Sequence, residues 1–189
     1  MNNQENINTN GGDFAGRDMD KRTFNIYNTE GAIFLFPFLE IVKKLDAGFE
    51  IDIEDQLDDL NHFKGTVRHD TRGLEQKLLD SNRKYQIDSA LRYKSKASRL
   101  ITKHQDSPAF QFLISKILAR IELTFGQIIR PMIENDADIQ DVETAILKQV
   151  IYPIEALLIG TPLGASSECV LHLLYFLAGN CHICWDKKC

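Results

Sequence analysis

The 189 residues carry 43% hydrophobic and 26% charged side chains and a formal net charge of −5. That composition describes one folded domain with a tail rather than a disordered or fibrous chain, and the negative balance argues against bulk attraction to nucleic acid or to an anionic membrane. No apolar run reaches the ~20 residues that span a bilayer, and the first ten residues, half of them asparagine, hold no signal-peptide core, so the expectation is a cytoplasmic chain whose four cysteines are thiols rather than disulfides.

Residues 1–30 form a separate Asn/Gly-rich tag. Gly11, Gly12 and Gly16 resist a helix. The larger apolar groups there include Phe14, Phe24, Ile26 and Tyr27, and the alternation in Thr23-Phe24-Asn25-Ile26-Tyr27 is that of a half-buried strand. The stretch is either a flexible tail or an ordered tag. A lone strand is unstable in water, so an ordered tag must pair, most simply with copies of itself in a homo-oligomer.

Residues 31–189 are expected to form one all-α bundle of six or seven helices. Ile33, Phe34, Leu35 and Phe36 are an apolar lead-in that either packs on the core or marks a contact with a partner or neighbouring subunit. Pro37 suits a first helical turn, and Phe38, Ile41, Val42 and Leu45 then recur at helical spacing. The acidic segment Glu50–Asp59 and the segment Leu74–Leu79 read as two short helices flanking a loop at Lys64–Thr71.

Lys84–Lys103 reads as a longer helix, with Ile87, Ala90, Leu91, Ala97 and Ile101 on one side. Arg92, Lys96, Arg99 and Lys103 fall on the other. Residues 64–104 hold eleven Lys or Arg against four Asp or Glu, a local net of +7. The stripe is either a solvated face, a face meeting the acidic segment of this or another subunit, or a contact to phosphates. No nucleic-acid-binding motif accompanies it.

Ser107-Pro108 is an N-cap followed by an N1 proline. It opens a helix with Phe110, Ile114, Ile117, Ile121, Phe125 and Ile128 on its buried face, and Pro131 is expected to kink or fray the end. Asp138 is the expected cap of the next helix, which carries Ile139, Val142, Ile146, Val150, Ile154 and Leu157. Pro153 predicts a kink near Gln149–Tyr152. Gly160, Pro162 and Gly164 end that helix, and Ser166 or Ser167 caps the last one.

From Val170 to Ala178 only His172 interrupts an apolar run, so the last helix must be surrounded on all sides. Gly179 and Asn180 suit a left-handed cap. The stretch Tyr175, Phe176, Leu177, Gly179, Asn180, Cys181, His182, Ile183 and Trp185 resembles the closing signature YFL-x-G-N-C-H-I-x-W of a C-terminal domain in bacterial ABC-three-component systems, the group that includes Lamassu-type anti-phage defence. GGDFAGRD near the N-terminus is similar to a G-D-x-x-G-x-D tag that opens many such proteins. Members that act as enzymes carry a separate effector domain ahead of the helical part, whereas here only about thirty residues stand in that place.

Catalytic chemistry is sparse. Cys181-x-x-Cys184 without a second pair is a weak zinc signal, and buried thiols are the simpler account. His172 reads as a hydrogen-bonded core residue, and His182 as a group that binds a backbone carbonyl and fixes the final turn. No phosphate-binding loop, nucleophile elbow, metalloprotease or dinucleotide motif is present. The expectation is therefore no enzyme, no cofactor and no metal. It is an adaptor or scaffold of a defence system, binding an ABC- or SMC-like ATPase or another system protein and self-associating, with a nucleic-acid sensor using Arg92, Lys96, Arg99 and Lys103 as the alternative.

Overall fold

The computed structural model of the chain describes residues 39–50, 52, 54–66, 72–158 and 167–188. The candidate assembly residues Phe14, Phe24, Ile26, Tyr27, Ile33, Phe34 and Phe36 lie outside the described residues. Among the described residues there are seven helices and no strand. They are α1 (39–46), α2 (Glu54–Lys64), α3 (Leu74–Asp80), α4 (Ile87–Lys103, entered through a 3₁₀ turn at Lys84–Gln86), α5 (108–134), α6 (139–158) and α7 (Ser167–Gly179).

The sequence-level caps operate as their chemistry requires. Ser107 accepts the backbone N–H of Phe110 at 3.3 Å, and Asp138 accepts that of Gln140 at 2.7 Å, each silencing a donor with no intrahelical partner. At their far ends α1, α3, α5 and α7 all close in the same hydrogen-bond pattern. The residue after the cap turns left-handed (Gly48, Asn82, Asp136 and Cys181), and the next N–H reaches back to the carbonyl five residues earlier. Glycine, asparagine and aspartate tolerate that backbone, whereas cysteine is an uncommon occupant.

α5 and α6 do not fray or break at their prolines. Each widens into a π turn, Phe125–Ile129 before Pro131 and Ile146–Ile151 before Pro153. A proline removes the donor that would serve the carbonyl four residues back and crowds that carbonyl with its ring. Those carbonyls belong to Gln127 and Gln149, both inside the π turns. The wider turn carries more than four residues, so buried positions recur every fourth residue without drifting around the helix. Ile117, Ile121, Phe125, Ile129 and Ile133 form one such line, and Val142, Ile146, Val150, Ile154 and Leu158 the other. Ile128, expected in the core, is therefore 39% exposed, and Ile129 takes its place at 0%. On α4 the expectation fails for Leu91, which is exposed.

α7 occupies the middle. Val170, Leu173, Leu174, Tyr175, Phe176, Leu177 and Ala178 are all buried, and the helix packs on α3, α4, α5 and α6, most extensively on α4. Burial of each large apolar side chain contributes roughly 1.5–3 kcal/mol. α2 is held mainly by α5. No helix among the described residues is long and apolar enough to cross a membrane.

The register set by the π turns is testable by chemical denaturation. Ile129→Ala should cost roughly 2–5 kcal/mol, as for a fully buried large-to-small change. Ile128→Ala should cost about 1 kcal/mol or less. The reverse order would place the wrong residue in the core.

Candidate functional site

The resemblance-bearing residues gather where α7 ends inside the molecule. A helix leaves its last four carbonyls without intrahelical partners, and here all four are served. The backbone N–H of Asn180 donates to Phe176, that of His182 to Leu177 at 2.9 Å, and that of Cys181 to Ala178. The Lys77 ammonium donates to the Ala178 carbonyl at 3.1 Å, and the Lys94 ammonium to the Gly179 carbonyl at 2.8 Å. Lys77 is fully buried, and two cations suit the negative end of the helix dipole. Burial pushes the pKa of Lys94 down, and Lys77 adds to the effect. A Cβ at Gly179 would stand 2.6 Å from Lys94 Cε, so a larger residue there would make the end of the Lys94 side chain shift.

Asn180 and His182 reach the other way, to the end of α2. The Asn180 amide donates to the Phe63 carbonyl at 3.0 Å. His182 Nε2 lies 3.1 Å from the Gly65 carbonyl. A carbonyl only accepts, so Nε2 carries a proton and donates, while Nδ1 faces Glu122 at 3.5 Å. The His182 ring also packs edge-on to Phe63 and His62, with centroids 5.3 and 4.9 Å apart.

Trp185 folds back onto the core. Its ring meets Phe125, the first residue of the α5 π turn, edge-on at 5.3 Å, and Tyr175 at 5.8 Å. The Arg83 guanidinium sits 5.3 Å from the indole centroid. It also donates to the Trp185 carbonyl and, at 2.8 Å, to Glu143 on α6. Burial, followed by Glu143, pushes the Tyr175 phenol pKa well up, so the group stays neutral and donates to the Gln86 side chain at 3.0 Å. The Trp185 N–H has no acceptor among the described residues, and nothing in the structure explains it.

Beyond Trp185 an ion-pair cluster latches the tail. Arg72 binds both carboxylate oxygens of Asp186, at 2.7 and 3.1 Å, and also Asp80 at 2.7 Å. Lys188 meets Asp80 at 3.1 Å, Lys187 meets Asp136 at 2.6 Å, and Arg130 donates to the Asp186 carbonyl at 2.9 Å. A planar guanidinium bound through two nitrogens fixes geometry as well as charge.

Cys169 and Cys181 form no disulfide, but Cys184 is disulfide-bonded. The expectation that all four cysteines are thiols is corrected accordingly. Pairing depends on how close two Cα atoms come, which spacing in sequence does not reveal. His172, expected to be a hydrogen-bonded core group, has no hydrogen bond at its buried Nε2. That atom lies 3.4 Å from Glu168, and burial pushes the ring's pKa down.

The basic stripe is divided. Lys96 pairs with Glu168 at 2.6 Å, and this pair leads the causes holding the Glu168 carboxyl below its usual range. Arg92 lies over the Tyr93 ring at 5.3 Å. Arg92, Arg99 and Lys103 are exposed. No ion pair among the described residues joins α4 to the acidic face of α2.

The geometry defines a class: an all-α domain built around a buried terminal helix whose end is capped from three sides. More narrowly, residues 73–185 of the 189 match the family of C-terminal domain 9 of the ABC-three component (ABC-3C) systems, and the chain belongs to it. No curated protein and no solved structure shows significant similarity to the chain.

Asn180→Ala leaves the buried Phe63 carbonyl without its donor and should cost roughly 1–3 kcal/mol, read as a lowered denaturation midpoint. The tail latch has an acid signature. Arg72, then Gln76 and Lys188, hold the Asp80 carboxyl at about 2, down from 3.8. The folded state thus binds that proton less readily than the unfolded chain. Its stabilisation is complete above 3.8 and disappears as the pH falls toward about 2. Asp80→Asn should therefore lower stability at neutral pH and flatten the acid limb of the stability profile across that window.

Proposed function

We propose that this chain is a non-catalytic adaptor of a Lamassu-like bacterial defence system of the ABC-3C class. In this reading residues 31–189 are a cytoplasmic helical interaction domain, and residues 1–30 are a tag through which copies associate. The partner is an ABC- or SMC-like ATPase, or another protein of the same system. Membership of the ABC-3C family supports a multicomponent setting.

The observation that carries the reading is the use made of the signature. Asn180, His182 and Trp185 are engaged with Phe63, Gly65, Arg83 and Phe125 of their own chain. Gly179 makes room for Lys94. A signature whose residues serve internal packing and capping leaves recognition to the outer faces of the helices.

Affinity capture of the full chain from its native host should retrieve an ABC-type ATPase or a protein encoded beside it, and capture of neither would sink the reading. The tag is tested by solution mass. At about 500 mM salt, where contacts between surface charges are screened, the full chain should be oligomeric and a chain beginning at residue 30 should not; equal association states would remove the tag's assigned role.

A further inference from the structure

The surfaces of α2 and α4 carry opposite charge and do not meet. On α4, Arg92, Arg99 and Lys103 are exposed at positions i, i+7 and i+11, which fall within an arc of about 40° around a helix. Glu54 and Asp58 are exposed in the first turns of α2, and Glu50 is exposed ahead of it. The two helices are fixed on different neighbours, α4 on α7 and α2 on α5. No ion pair among the described residues engages any of these six charges.

We propose that the basic face of α4 docks against the acidic face of α2 on a second copy of this chain. Glu54 and Asp58 stand one helical turn apart, as do Arg99 and Lys103, so the two rows match at about 6 Å spacing. Two different faces meeting in this way close reciprocally into a two-fold dimer where both contacts fit one interface, and otherwise form a heterologous contact that closes into a ring or extends as a filament. Nucleic acid fits the α4 face less well. Lys96 is already neutralised by Glu168, Tyr93 is half-buried against Tyr175 and His172 rather than offered for stacking, and the chain's net charge of −5 opposes a polyanion. The contact deepens the self-association in the adaptor reading, but it does not use the tag.

The test is sedimentation of the full, nuclease-treated chain at about 50 mM and about 500 mM salt, where screening differs strongly. The wild type should be larger at low salt than at high salt, where only association through the tag remains. The triple reversals R92E/R99E/K103E and E50K/E54K/D58K should each lose that low-salt increment. Their equimolar mixture should regain it, because each then offers the face the other needs; that recovery also shows both variants are folded. A mass insensitive to salt, a low-salt increment that survives either reversal, or a mixture that fails to regain it would overturn the contact. So would association that disappears on nuclease treatment, which would assign the α4 face to nucleic acid. None of these outcomes bears on ATPase capture, so the adaptor reading stands or falls separately.

Discussion

Burying the end of a helix is the constraint on which this fold depends. Carbonyls at a surface helix terminus are satisfied by water, but those of α7 end inside protein, and each must find a donor or cost the full desolvation of a peptide group. The answer brings together four parts of the chain. The backbone curls back on itself at Cys181, lysines arrive from α3 and α4, and the residues just past the cap tie the same point to α2. Removing one partner leaves a buried polar group exposed to nothing, so the cluster ties the helices to one arrangement as well as stabilising it.

The two π turns serve the same centre from the other side. Phe125, which opens the first, is the edge-on neighbour of Trp185, and Glu143, one turn before the second, holds Arg83 over the same indole. The π turns pack against each other. A change in helical pitch, imposed locally by Pro131 and Pro153, thus presents continuous apolar lines to α7 where regular helices would have rotated them toward solvent.

What could be read in the sequence follows this division. The all-α class, the central last helix, the Ser107 and Asp138 caps and the carbonyl contact of His182 were legible, because apolar periodicity and cap chemistry are local. The π turns were not, because a proline announces a disturbance without saying whether the helix breaks or widens. The left-handed cap was expected at Gly179 or Asn180 on propensity, yet it falls at Cys181. Arg72, Lys77, Arg83 and Lys94 were counted among eleven cations without being assigned a place, although all four turn inward. Lys94 left one signal: it lies on the side of α4 marked by Ala90 and Ala97, both buried. The candidate assembly residues of the first thirty-eight lie outside the described residues.

The hub is asymmetric in the kind of atom it uses. Its donors are side chains, Lys77, Arg83, Lys94, Asn180 and His182, and most of its acceptors are main-chain carbonyls, those of Phe63, Gly65, Ala178, Gly179 and Trp185. Every residue type carries a carbonyl, so an acceptor position other than Gly179 can change identity without breaking the bond, while a donor position cannot. A fold held in this way writes only half of each interaction into its sequence. The family match opens at residue 73, beyond the α2 segment whose backbone receives Asn180 and His182. Divergent relatives of this domain are therefore better sought by the lysines, asparagine and histidine that give than by the helix that accepts.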